Sequence, residues 1–168
     1  MKDITGILVI GYGNTLRGDD GVGPRVAEAI EKLSLPGVRT LVCQQLSPEH
    51  AEPISRTGRV VFVDAELVAS YTLQVAGSES STCNHQPSTF NYREVRLRRL
   101  EPGESSQIMT HAADPRTMLA LARDVFGHCP EAWWLTIPAV KLDFSENLTP
   151  EAQRGFEEAV KKIQELCR

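Results

Sequence analysis

The segment Ile7-Leu8-Val9-Ile10-Gly11-Tyr12-Gly13-Asn14-Thr15-Leu16-Arg17-Gly18-Asp19-Asp20-Gly21-Val22-Gly23 organises the reading of the whole chain. Ile7–Ile10 is a β-branched apolar run that stops at Gly11-Tyr12-Gly13, the pattern of a buried strand entering a turn. Val22, Val26, Ala29, Ile30 and Leu33 then recur at helical spacing, with Pro24 suited to a first helical turn and Pro36-Gly37 ending the helix. Arg39–Gln44 reads as a second strand. Ser47-Pro48-Glu49 opens a second helix that stops at Gly58, and Val60–Val63 is a third strand ending at Asp64. Strand alternating with helix in this way predicts a parallel sheet with helices on its faces, and in such folds ligands sit beyond the carboxyl ends of the strands.

Further along, Gly77–Tyr92 is a polar loop. Glu94–Leu100 alternates as a half-exposed edge strand. Asp114-Pro115 caps a helix whose apolar stripe runs through Met118, Leu121, Ala122, Val125 and Phe126 to Gly127. Trp133–Ile137 is another strand. Thr149-Pro150-Glu151 opens a last helix with Phe156, Ala159, Val160, Ile163 and Leu166 on one face.

Bulk properties bound the function. The 168 residues suit one domain, 1–168, and 41% apolar with 24% charged residues is a globular composition. A net charge of −4 gives no reason to expect nucleic acid as a partner. The longest apolar run, Met118–Ala122, is far too short to span a membrane, and the opening residues leave no room for a signal peptide. Cys43, Cys83, Cys129 and Cys167 form no CxxC, so reduced thiols in a cytoplasmic protein are expected.

Chemistry concentrates in the first turn. The dinucleotide fingerprint GxGxxG fails because Leu16 stands at the third glycine, and no P-loop Gly-Lys-Ser/Thr follows. Phosphate prefers a helix N-terminus, and Asp19 and Asp20 occupy that place and would repel it, so the turn suits a cation or a hydrogen-bond donor. Helix capping is the competing account of these aspartates, and spacing alone leaves both open. Asp64 is either a turn-forming residue or a site carboxylate on the same sheet edge. Among the histidines, His50 and His128 are expected at the surface and His85 in the polar loop. His111, just before the Asp114-Pro115 cap, would complete a set of one imidazole and two carboxylates of the kind borderline divalent metals accept. No GxSxG elbow, HExxH helix or recognisable cysteine nucleophile is present.

These residues resemble a known family. Gly11, Gly13, Asn14, Leu16, Asp19, Asp20, Gly21 and Gly23 resemble the opening motif of the hydrogenase maturation proteases, which mature the large subunit of nickel–iron hydrogenases. Val60–Val63 with Asp64-Ala65 looks like the family's second motif. Met109-Thr110-His111 looks like the third, and Ile137-Pro138 with Leu148-Thr149-Pro150 like the closing segment. The resemblance implies a three-layer α/β/α sandwich around a twisted, mostly parallel sheet of about five strands, with an antiparallel edge strand. It implies that Asp20, Asp64 and His111 contact metal, with Asp19 in support. It also implies an endopeptidase that removes a C-terminal extension from the nickel-loaded large-subunit precursor. Nickel is then the recognition mark carried by the substrate, no permanently bound metal is expected, and a water at the metal is the expected nucleophile. Cys43–Glu49 departs from the Asp-Gly-Gly type of segment and looks more like the branch serving bidirectional, NAD-linked hydrogenases. Cys83 and His85, in the polar loop, are a remote candidate for a secondary nickel contact. The alternative from another class is a non-catalytic protein that binds a nickel-loaded partner through the same three residues.

Overall fold

The computed structural model describes residues 5–68, 94–103 and 114–168. The strands are β1 (Ile7–Tyr12), β2 (Val38–Cys43), β3 (Arg59–Leu67), β4 (Arg96–Leu100) and β5 (Glu131–Ala139). The helices are α1 (Val22–Lys32), α2 (Ala51–Ser55), α3 (Pro115–Phe126) and α4 (Pro150–Leu166). The five strands form one sheet in the order β2-β1-β3-β5-β4, parallel throughout except for β4, which pairs antiparallel with β5 at the edge. The expected mixed α/β architecture is therefore present.

Strand alternation divides the core between two faces. Leu8, Ile10, Val60, Phe62 and Ala132 pack with Ile54 of α2 and with Met118, Leu119 and Ala122 of α3. Val9, Val61, Val63, Leu135 and Ile137 pack with Val26, Ala27 and Ile30 of α1 and with Ala159 and Ile163 of α4. The helices start and stop where their sequences dictate. Asp114 accepts from the Arg116 N–H at 2.8 Å with Pro115 in the first turn, and Gly127 closes α3 in the left-handed region at φ 76°. Thr149 accepts from the Ala152 N–H at 3.3 Å ahead of Pro150. On the edge strand, Arg98 lies 5.1 Å from the Trp134 ring centroid, a charge that discourages further strand pairing.

Three local expectations change. β3 does not end at Asp64 but continues to Leu67, because β5 extends as far as Ala139 and supplies a partner for each added residue. The second helix divides into a 3-10 turn, Pro48–His50, and the single short helix α2. His50 and His128 are half-buried local ties and not free surface groups. His50 Nδ1 accepts from the Ser47 N–H at 2.9 Å, and His128 Nε2 lies 3.2 Å from the Thr57 carbonyl. The Gly77–Tyr92 segment, with Cys83 and His85, and His111 lie outside the described residues. Cys43, Cys129 and Cys167 are free, and burial raises all three thiols, Cys43 to about 11, so none is an activated nucleophile. Among the described residues no helix is long and apolar enough to cross a membrane.

Close packing explains two of the opening glycines. A Cβ on Gly11 would lie 2.1 Å from the Gly23 carbonyl oxygen, and one on Gly23 would lie 2.6 Å from both the Tyr12 and Val63 carbonyl oxygens. Helix α1 thus rests on the backbone of β1 and β3. Gly23→Ala must push the helix off backbone atoms that cannot rotate away, and should destabilise the protein by about 3 kcal/mol in a denaturant titration.

Candidate metal-contacting site

β1 ends at Tyr12, and the chain turns through Gly13. Its φ is 137°, and a Cβ there would lie 2.0 Å from the Asp20 carbonyl oxygen, so the position demands glycine. The turn closes on itself. Asn14 donates its backbone N–H to Asp20 Oδ2 at 2.9 Å, while its own side-chain oxygen accepts from Leu16 N–H at 2.9 Å. A 3-10 turn, Gly18–Gly21, then feeds directly into α1, with no side-chain cap on either element. Capping therefore does not account for the paired aspartates.

The two carboxylates have different surroundings. Asp19 is fully buried and points away from the turn, into the segment that joins β5 to α4. Its Oδ2 accepts from Val140 N–H (2.8 Å), Lys141 N–H (3.1 Å) and the Thr149 hydroxyl (2.8 Å), and its Oδ1 accepts from Thr149 N–H (2.7 Å). Burial pushes the Asp19 carboxyl up, but these donors outweigh it and hold the group below the usual aspartate range. The expectation that Asp19 supports the site takes a specific form: it ties the first turn to the β5–α4 connection. Asp20, half-buried, commits one oxygen to the Asn14 N–H.

Asp64 lies on β3 next to Tyr12, one step beyond the Gly11–Val63 register pair, on the sheet face covered by α2 and α3. The Tyr12 hydroxyl donates to Asp64 Oδ2 at 2.9 Å. Burial pushes the Asp64 carboxyl up to about 6, against the lowering effect of the Tyr12 bond and the Ala65 N–H; the nearby charges of Asp20 and Glu66 raise it further. Tyr12 is itself raised well above the ordinary tyrosine range, by burial first and then by the Asp64 charge, so it remains a donor at neutral pH. The Trp134 indole N–H is close enough to Tyr12 to oppose that rise slightly, but it makes no hydrogen bond of ordinary geometry. Thr136, opposite Asp64 on β5, is buried with a hydroxyl that has no partner among the described residues.

The parallel sheet thus brings Asp20 and Asp64 together at its carboxyl edge, close enough for their charges to repel, and neither forms a salt bridge among the described residues. Two adjacent carboxylates without a cation suit an incoming positive charge. No group of three or more metal-ligating side chains assembles among the described residues, which do not include His111. Asp114, whose charge also acts on Tyr12, is three positions beyond His111 in the chain. Sequence reading passed over Tyr12 and Thr136. The sequence offered no local signal for them, because their place beside Asp64 is set by the register between strands.

The arrangement defines an α/β/α sandwich with an acidic turn at the carboxyl edge of its sheet. No protein-family profile matches the chain, and no curated relative matches it. Solved structures do. The [NiFe] hydrogenase maturation protease HycI from Thermococcus kodakarensis superposes with a TM-score of 0.66 at 20% identity, over 99% of this chain and 94% of that one. The hydrogenase 2 maturation peptidase from Thaumarchaeota archaeon SCGC_AB-539-E09 gives 0.62 at 23%, over 96% and 97%. The hydrogenase maturating endopeptidase HybD from E. coli gives 0.62 at 19%, over 94% and 89%. At these identities the likeness establishes a shared fold along nearly the full length of both chains.

Proposed function

We propose that this protein is a hydrogenase maturation endopeptidase, cutting a C-terminal extension from a nickel-loaded large-subunit precursor. The observation that carries the reading is the meeting of Asp20 and Asp64, unpaired with any cation among the described residues, at the sheet edge of a fold shared with such peptidases. His111 is the proposed third contact. The nickel belongs to the substrate: two carboxylates and one imidazole hold it less firmly than thiolates, so the enzyme can inspect the ion without removing it. With no activated thiol among the described residues, the proposed nucleophile is water. Its oxygen adds to the scissile carbonyl carbon, the C–N bond breaks, and a proton from that water passes to the departing amine, leaving a new C-terminal carboxyl group on the large subunit. The exposed apolar side chains Leu16 and Phe144, on segments joined by the Ser145 N–H to Leu16 carbonyl bond at 2.9 Å, are proposed contacts for the polypeptide substrate. The cytoplasm is the proposed location of the reaction.

The test is to incubate purified protein with nickel-loaded and nickel-free precursor and to weigh the products by mass spectrometry. Loss of the extension only from the nickel-loaded form is expected. Tight nickel-dependent binding without cleavage would instead establish the non-catalytic alternative. His111→Ala should abolish cleavage while leaving the melting temperature nearly unchanged; normal processing by this variant would remove His111 from the site.

A further inference from the structure

We infer that Tyr12 is a positioning residue that fixes the rotation of the Asp64 carboxylate, so that one oxygen is committed to the protein and the other is presented to the metal. The inference rests on the proposed metal-contacting role of Asp64. Two hydroxyl-bearing side chains flank Asp64 in the sheet, Tyr12 on β1 and Thr136 on β5. Only one of them holds it. The Tyr12 hydroxyl donates to Oδ2 at 2.9 Å, whereas the buried Thr136 hydroxyl has no partner among the described residues.

This asymmetry draws Oδ2 towards β1. Tyr12 is the only side chain among the described residues that donates to Asp64, so Oδ1 is the oxygen with no side-chain donor. The Ala65 N–H also favours the charged carboxylate, but it belongs to the same strand and cannot choose between the two neighbours. Tyr12 itself cannot swing away, because it is buried in the core cluster with Leu8, Ile10 and Phe62. A rigid donor on a ligating carboxylate restricts that ligand to one-oxygen contact and fixes its direction. Removing the hydroxyl would release the carboxylate to turn towards Thr136, away from its presented orientation.

The experiment compares wild-type protein with Tyr12→Phe and with Thr136→Val, using nickel ion alone as the probe, by calorimetric titration and by crystals soaked in nickel salt. Tyr12→Phe keeps the ring packing and should retain the wild-type melting behaviour, yet bind nickel about tenfold more weakly, as loss of a group that orients a ligand commonly does. Its Asp64 should be found turned towards Thr136 or gripping nickel through both oxygens. Thr136→Val should bind nickel as the wild type does. A purely structural Tyr12 would change the melting temperature without changing affinity or ligand geometry. Unchanged nickel affinity in Tyr12→Phe, or two-oxygen contact by Asp64 in the wild type, overturns the inference while leaving the site reading intact. Absence of nickel from Asp64 in the wild type overturns both.

Discussion

Asp64→Asn is expected to melt higher than the wild type at about pH 8 while losing more than ~100-fold in processing. The two effects have one cause. The folded-state pKa of Asp64 is raised from 3.8 to about 6, so the fold favours its neutral form. The charged form carries no penalty below the unfolded value, because it is not populated there. The penalty grows as the pH climbs through the folded value and is fully present above it. On the order of 2 kcal/mol is at stake for a partly buried group, or roughly 5 °C in a chain of this size. Asparagine removes the charge and still accepts from the Tyr12 hydroxyl. Its advantage should therefore shrink towards zero as melting curves are taken down to about pH 4. A variant that melts lower than the wild type at high pH would show that the Asp64 charge is compensated in the folded protein. In the proposed reaction that compensation comes from the nickel of the precursor, so the carboxylate that costs stability in the free enzyme is the one that meets the ion.

Asp19→Asn should have the opposite character. The side chain keeps its shape, and no cavity forms. However, an amide NH2 must now face at least one of the donors from Val140, Lys141 and Thr149, and the charge that holds them is gone. Breaking a buried, fully hydrogen-bonded charge in this way costs about 3–5 kcal/mol. A melting temperature lower by roughly 10 °C is expected. Processing should fall with the folded fraction, and any activity left in the folded population distinguishes this anchoring role from direct contact with substrate. The sign with pH is also reversed. Asp19 sits below its ordinary value, so its contribution is present above the unfolded pKa and is lost as the pH falls through the folded one.

Adjacent aspartates in one tetrapeptide turn thus do different work, and sequence alone had no means of separating them. Both are acidic, both are flanked by glycine, and both fit a cap or a cation site. What separates them is where the β5–α4 connection passes. Its backbone N–H groups close on Asp19, more than a hundred residues away in the chain, and leave Asp20 facing Asp64. Asp64 was legible as a residue late in a strand, but its strand runs three residues further because β5 offers Ile137, Pro138 and Ala139 as partners. The helices were easier to read. Their caps and stripes are local, as Asp114-Pro115, Thr149-Pro150 and the Met118–Ala122 run show.

By itself, the sequence determined the succession of strands and helices, the parallel sheet that this succession requires, and the concentration of acidic groups in the turn after β1. Those features depend on periodicity, turn chemistry and chain order, which act over a few residues. Only the tertiary structure decided that Tyr12 holds Asp64, that Thr136 stands beside it without a partner among the described residues, and that Asp19 serves as an internal anchor. Each depends on register between strands or on a distant backbone amide, and hydrogen bonds at that range are set by packing of the whole domain.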